Sequence, residues 1–342
     1  MELKEAGEFG LIERLKAGAI VAPARVVMGI GDDAAVLQGE SGFLTLASTD
    51  MLVEDIHFTL NTATPREIGY KTMAVNVSDI AAMGGIPEQA LVSLGLRPEQ
   101  QVEFVDELYA GLRECGQRFG VNIIGGDTVS SPRAMVINLA ILGRVESEAC
   151  LYRHGARPGD ILLVTGDLGG SAAGLDTLLR PRPAPAEVIA WARARHFRPT
   201  PRVAEIRAAL KAGGLTAADD ISDGLVAEIH TLAAASRVGI ILEAGAVPIA
   251  PATRQLATLY HKDPLDYALY GGEDFELLLA CRPDKVDAVR ETVYLACGTP
   301  VTAIGRVVPA EEGITINHDG RVLPLPPGGY NHFQLNGNHR IP

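Results

Sequence analysis

The sequence predicts a mixed α/β or α+β protein of two domains, and three observations predict it. Its 342 residues exceed what one ordinary hydrophobic core accommodates and suit two. Strand-like and helix-like segments alternate along the whole chain. A polar, irregular stretch, ESEACLYRHGARPGD, interrupts that alternation and puts a domain boundary near residues 146–158.

FLTLAS (43–48) reads as a strand that delivers Thr49 and Asp50 at its end. A helix follows, with Thr64 as N-cap, Pro65 at the first helical position and Glu67 completing a capping box. It runs to about Met83, where Gly84, Gly85 and Pro87 stop it. ALVSLGL is strand-like, and a helix over 98–119 carries Val102, Val105, Leu108, Leu112 and Phe119 on one side. VNIIGGDT reads as a short buried strand ending in a glycine turn, and AMVINLAILGRV as a longer strand. In the second half the strand DILLVTG leads through DLGGSAAGL into a helix, and a loop RPRPAPAE follows. LTAADDIS precedes a helix over 224–237, and VGIILEA, DFELLLA and PVTAIGRVV complete the strands. The tail NGNHRIP is polar and expected to fray.

The formal net charge of −12 excludes a nucleic-acid or anionic-membrane surface, because neither is attracted to it. The four cysteines, Cys115, Cys150, Cys281 and Cys297, show no metal-ligand spacing and read as reduced thiols of a cytoplasmic protein. MELKEAGEFG lacks the apolar core of a signal peptide, and no apolar run suits a bilayer.

The chemistry lies in the aspartates. Asp32 and Asp33, Asp50, Asp127, Asp219 and Asp220, and Asp223 each fall where an apolar strand ends or a glycine turn begins. Any one of them has a bland explanation as a turn residue or cap, Asp223 especially, just ahead of a helix. The recurrence of the pattern outweighs that explanation. Asp79 lies inside a helix, on one stripe with Thr72 and Asn76 at i, i+4 and i+7. The usual surface residues, lysine and glutamate, are absent from 72–83, so the stripe faces a site rather than solvent. Carboxylates converging on one place need cations, and an oxygen-only donor set without clustered His or Cys suits Mg²⁺ with substrate phosphates. There is no Walker lysine motif and no dinucleotide fingerprint. GDLGGSAAG could form a phosphate nest or simply a tight strand-to-helix connection.

Eight segments in order carry a resemblance: GEFGLI, GIGDDAAVL, STDMLVEDIHF, YKTMAVNVSDIAAMG, IGGDT, DISDGL, GGEDFEL and GGYNHF. From about residue 7 to 333 the chain resembles the thiamine-monophosphate kinases. The resemblance implies the two-domain fold of aminoimidazole ribonucleotide synthetase: an N-terminal α/β domain (1–148) that binds ATP and Mg²⁺ and dimerises through its sheet, a C-terminal α+β domain (149–335), and a flexible tail (336–342). It implies ATP as co-substrate, several Mg²⁺ ions, a monovalent cation as a further candidate, and a cytoplasmic homodimer without nucleic-acid or membrane partners. Asp32, Ser48, Thr49, Asp50, Asp79, Asp127, Asp220 and Asp223 would be metal ligands, Ser48 and Thr49 through a carbonyl or hydroxyl oxygen. Gly126, Asp127, Arg153 and Ser222 would meet ATP, with Tyr109 a further candidate, and Asp50, Asp127, Arg153 and Asp223 would serve catalysis. His57, Glu273 and Tyr330 would line the thiamine-phosphate pocket.

Three positions depart from the family's habit: Asp55 for a common Gly, Phe275 for a common Tyr and Asn331 for a common Asp. Because Asp55 and Asn331 flank substrate residues, they bear on substrate preference. The rival expectations are another ATP-dependent enzyme of the same superfamily, or an inactive nucleotide-binding regulator. A selenophosphate synthetase needs a reactive Cys near its N-terminus, whereas the first Cys here is Cys115; the hydrogenase-maturation relative depends on a C-terminal Cys, whereas this tail reads NHRIP. The intact aspartate set opposes the regulator.

Overall fold

The computed structural model describes residues 10, 12, 16, 19–20 and 22–332. The segment 7–12 of the resemblance is therefore only partly described, and Phe333 and the expected tail lie outside the described residues. The described residues fall into two compact units, one drawn from 22–80, 86–147 and 330–332, the other from 81–85 and 148–329.

The first unit holds a six-stranded sheet ordered β1-β2-β3-β6-β4-β5. Its strands are β1 (Val26–Met28), β2 (Ala35–Gln38), β3 (Phe43–Val53), β4 (Ile86–Leu96), β5 (Asn122–Ser130) and β6 (Val136–Glu146), with helices α1 (Pro65–Ala82) and α2 (Val102–Phe119). The predicted capping box forms: Thr64 N–H donates to Glu67 Oε2 at 2.8 Å, and Glu67 N–H donates back to Thr64 Oγ1 at 3.3 Å. Two glycines let α1 and α2 touch along their backbones. A Cβ at Gly69 would lie 1.9 Å from the Leu108 carbonyl oxygen, and one at Gly111 equally close to that of Arg66.

Three expectations change here. The strand from Phe43 does not end at Ser48, because β3 pairs with β6 without a break to Val53, so Thr49 and Asp50 lie within a strand. The helix expected from Pro98 begins at Val102, and Val102 is exposed rather than part of the apolar side. VNIIGGDT is not a buried strand ending in a turn. It belongs to β5, an exposed edge strand that runs straight through both glycines, parallel to β4. Glycine is needed at 126 because a Cβ there would meet the Val92 carbonyl oxygen at 1.7 Å.

The second unit holds a seven-stranded sheet ordered β13-β12-β9-β11-β7-β10-β8. These are β7 (Ile161–Thr165), β8 (Leu215–Asp220), β9 (Gly239–Glu243), β10 (Leu277–Cys281), β11 (Val301–Val308), β12 (Ile314–His318) and β13 (Arg321–Pro324). The helices are α3 (Gly170–Leu179), α4 (Ala186–Phe197), α5 (Val203–Ala212), α6 (Leu225–Ser236), α7 (Pro251–Tyr260), α8 (Pro264–Tyr270) and α9 (Val286–Cys297). ILLVT and LLLAC are continuously apolar because both faces are covered. Leu162, Val164 and Leu278 pack with Leu225 and Ile229, while Leu163, Leu277 and Leu279 pack with Ile206 and Val289. All four cysteines are free thiols. Burial pushes the Cys281 thiol up to about 11 and raises that of Cys297. Among the described residues no helix is long and apolar enough to cross a membrane.

Candidate functional site

In the first unit the polar stripe on α1 faces β3. Asn76, fully buried, accepts the Asp50 N–H on its Oδ1 at 3.1 Å and donates Nδ2–H to the Thr72 carbonyl at 3.0 Å. Asp79 accepts a hydrogen bond from the Ser48 hydroxyl, which also lies 3.0 Å from the Asp33 carbonyl oxygen. The loop of GIGDDAAVL, the start of β3's acidic segment and α1 thus meet at Ser48. Burial, and then the charge of Asp33, push the Asp50 carboxyl up to about 6. The loop-bracing bond belongs to Asp32, whose Oδ1 accepts the Asp33 N–H at 3.1 Å. It is Asp33 whose charge reaches Asp50, so Asp33 joins the cluster, in keeping with its place in the recurring strand-end and glycine-turn pattern. The Thr49 hydroxyl is engaged within the sheet, donating to the Leu139 carbonyl at 3.0 Å and accepting from Asn138 at 2.9 Å.

The structure does not bring Asp127 to Asp50 within one chain. Three strand spacings separate β3 from β5, about 14 Å at the usual spacing of neighbouring strands. The register pairs Asp127 with Ser93, Ser93 with Asn138 and Asn138 with Met51, so Asp127 shares a sheet face with Met51, the face opposite Asp50. Tyr109 sits on α2 under the Arg113 guanidinium, 5.8 Å from its ring centre.

The candidate substrate residues of this unit lie together. His332 stands between His57 and Tyr330, with ring centres 5.1 Å and 4.8 Å away. His57 Nδ1 accepts the Val53 N–H at 3.0 Å, which leaves the ring's proton on Nε2 as a donor. That closed turn needs a left-handed residue, and Asp55 supplies it at φ 67°, a conformation aspartate tolerates. The common Gly of the family and the Asp found here meet the same backbone demand. His332 was missed by sequence reasoning, although it lies within GGYNHF.

In the second unit β8 ends in Asp219 and Asp220, both buried. Arg153 Nε donates to Asp219 Oδ1 at 2.9 Å. Asp223 does not cap α6, whose N-cap is Gly224. Instead Glu228 reaches back, its Oε1 accepting N–H groups of Asp223 at 2.9 Å and Ser222 at 3.3 Å. The loop 271–276 is laced to this turn: Glu273 N–H donates to the Ser222 carbonyl at 2.6 Å and Phe275 N–H to that of Ile221 at 2.9 Å. Both Glu273 (φ 68°) and Phe275 (φ 51°) adopt left-handed backbone to do so.

The glycine turn GDLGG resolves as a tight connection. The start of α3 is occupied by the chain's own anion: Asp274 accepts the Gly169 N–H at 2.6 Å and the Ser171 N–H at 3.2 Å. Burial nevertheless pushes Asp274 up to about 7, with Glu276 adding to it against those donors and Arg195. Glu276, also buried, takes bonds from Arg202 Nε at 2.6 Å and Thr165 Oγ1 at 2.7 Å, and Arg202 reaches on to Glu205 at 2.9 Å. Asp274 and Glu276 carried no readable sequence signal of their bonds, because their partners are more than sixty residues away.

The six-stranded unit with its aspartates clustered around Ser48 and the seven-stranded α+β unit with β8 ending in buried aspartates define an AIR synthase related protein. The N-terminal domain pattern of that family matches residues 31–145 and the C-terminal pattern residues 157–317. The thiamine-monophosphate kinase of Bacillus subtilis (strain 168) is 37% identical over 333 residues, spanning 96% of this chain and 99% of its own. A solved structure described as AaThiL complexed with AMPPCP and TMP matches with TM-score 0.85 and 34% identity, covering 97% of this chain and 99% of that one. The hydrogenase maturation protein HypE of E. coli matches with TM-score 0.66 at 23% identity, over 83% of this chain and 86% of its own, and shares the fold alone. The chain belongs to the thiamine-monophosphate kinase family.

Proposed function

We propose that the protein transfers the γ-phosphoryl group of ATP directly, in line, to the phosphate of thiamine monophosphate, giving thiamine diphosphate. The observation that carries this reading is the acid cluster at Ser48, Asp50 and Asp79 in a chain related to these kinases over nearly its full length. The donors fit Mg²⁺: all are oxygens, and an Asp50 carboxyl raised to about 6 by burial and Asp33 is a group that a cation relieves. Asp32, Asp33, Ser48, Thr49, Asp50 and Asp79 are the ligands proposed within the first unit, and Asp220 and Asp223, taken by themselves, those proposed within the second. Bound Mg²⁺ would neutralise phosphate charge during transfer.

The rest falls to the chain itself. The acceptor phosphate has its second pKa near 6, so at neutral pH it is already mostly deprotonated and needs no general base. The chain's task is alignment and charge compensation, and Arg153, braced on Asp219, adds a positive charge for the transferring phosphoryl. His57 offers its Nε2–H, and Glu273 and Tyr330 complete the acceptor contacts.

We place Gly126 and Asp127 in a second role. They lie on an exposed edge strand with Ile124 and Val129, where a homodimer would cover that surface and carry them to the partner's nucleotide. We take residues 1–148 as the domain of the Ser48–Asp79 cluster and of dimerisation, and 149–335 as the α+β domain that carries Arg153, Asp220 and Asp223, in a cytoplasmic enzyme.

The test is ADP release with thiamine monophosphate, thiamine and an unrelated phosphate monoester. Saturable turnover with thiamine monophosphate alone is expected. ADP release indifferent to the acceptor would overturn the assignment.

A further inference from the structure

The acidic residues of the loop 271–276 are each bound by a different part of the second unit. Asp274 holds the start of α3, and Glu276 is clasped by Arg202. Glu273 faces α4, its Oε2 lying 3.3 Å from Nδ1 of His196. The same nitrogen lies 3.0 Å from the Ser171 hydroxyl. His196 is buried whereas the Glu273 side chain is 29% exposed, so a half-open carboxylate is backed by an enclosed imidazole.

A carboxylate only accepts, so any hydrogen bond in this pair is donated by His196 Nδ1, with the Ser171 hydroxyl at the same nitrogen able to donate or accept. Three features hold the ring where it is. It sits in the last turn of α4, where the helix end favours a proton donor; it packs edge-on to Phe197 with centres 4.9 Å apart; and Ser171 meets the same nitrogen. The backbone adds a constraint. Glu273 is held left-handed by its N–H bond to Ser222, so its side chain leaves the loop in one direction, and His196 fixes where that side chain ends.

We infer that His196, with Ser171, is a positioning residue that orients the Glu273 carboxylate toward the thiamine end of the acceptor. This rests on the reading of Glu273 as a substrate residue. Glu273 then contacts substrate, and His196 acts only through it.

The experiment compares two polar substitutions on the full-length enzyme. Asn places its amide where Nδ1 stands, whereas Gln places it where Nε2 stands. His196→Gln is expected to raise KM for thiamine monophosphate about tenfold, as loss of one charge-assisted hydrogen bond does. His196→Asn should stay within about threefold of the parent enzyme, since it keeps a donor in place. KM for ATP should hold in both, and Glu273→Gln should raise KM for thiamine monophosphate with no further rise when His196→Gln is added. Equal rises in the Asn and Gln variants, or a parallel rise in KM for ATP, would show that His196 merely packs and would overturn the inference. A rise in Glu273→Gln without one in His196→Gln overturns the positioning role alone. An unchanged KM in Glu273→Gln removes Glu273 from the substrate site, and His196 with it.

Discussion

Two buried acids, Asp50 in the first unit and Glu276 in the second, are handled in opposite ways. Around Asp50 the neighbouring group that acts on the carboxyl is another carboxylate, Asp33, and the carboxyl is pushed up to about 6. Around Glu276 the neighbours are cations, Arg202 at 2.6 Å and Arg195 at 3.4 Å. Burial pulls on the Arg202 guanidinium, but Glu276 and Glu205 outweigh it and hold the group charged. Asp176 follows the second pattern. Burial alone would raise it, yet bonds from Lys262, Tyr267 and Arg180 bring its carboxyl below the usual range. Glu276, Glu205 and Asp176 are neutralised by the chain's own side chains, as in a scaffold. Around Asp50 negative charge is concentrated instead, as the proposed cation site requires.

That contrast can be broken at several points. Asp79→Asn keeps an acceptor for Ser48 but removes a charge, and should lower kinase turnover by about 10²–10³-fold while the melting temperature holds. Arg202→Met should do the reverse. It strands Glu276 and Glu205 and should destabilise the protein by about 3–5 kcal/mol in denaturant unfolding. Arg202→Met with full stability would show that the scaffold acids do not need their cation.

A smaller effect sharpens the comparison through pH. Asp274 has a native pKa of about 7, above its ordinary 3.8, so the native state binds the proton more tightly. Its contribution to stability is therefore present at low pH and is lost as pH rises through that window to about 7. Asp274→Asn has no such group, so its stability relative to the parent should climb across the same window. A pH-independent difference would mean that the Asp274 pKa is unshifted. The smallest effect expected is local: Thr64→Ala opens the capping box of α1 and should cost about 1 kcal/mol.

Where the sequence was legible, the cause was local. Thr64, Pro65 and Glu67 announce α1 because capping is decided within four residues. The stripe of Thr72, Asn76 and Asp79 follows from helical spacing, and its polar residues turn inward to β3. Where the sequence misled, the deciding partner was remote. IIGGDT looks like a buried strand, yet its position at a sheet edge leaves it exposed, and only the register shows Asp127 facing away from Asp50. GDLGG reads equally as a phosphate nest or a tight connection, and only Asp274, more than a hundred residues on, decides for the connection. The letters make Asp32 the metal ligand and Asp33 the loop brace, yet Asp32 accepts the bracing bond, because the loop alone decides which carboxylate turns back.

The most direct measurement is thermal melting against Mg²⁺ concentration, with a non-hydrolysable ATP analogue present, for the parent protein and Asp50→Asn. Ligand that binds only the native state raises its stability by RT ln(1 + L/Kd), with L the free ligand concentration, so the rise continues with ligand concentration. A cluster built for an external cation predicts a clear Mg²⁺-dependent rise in the parent and its loss in Asp50→Asn. An identical rise in both proteins would contradict it.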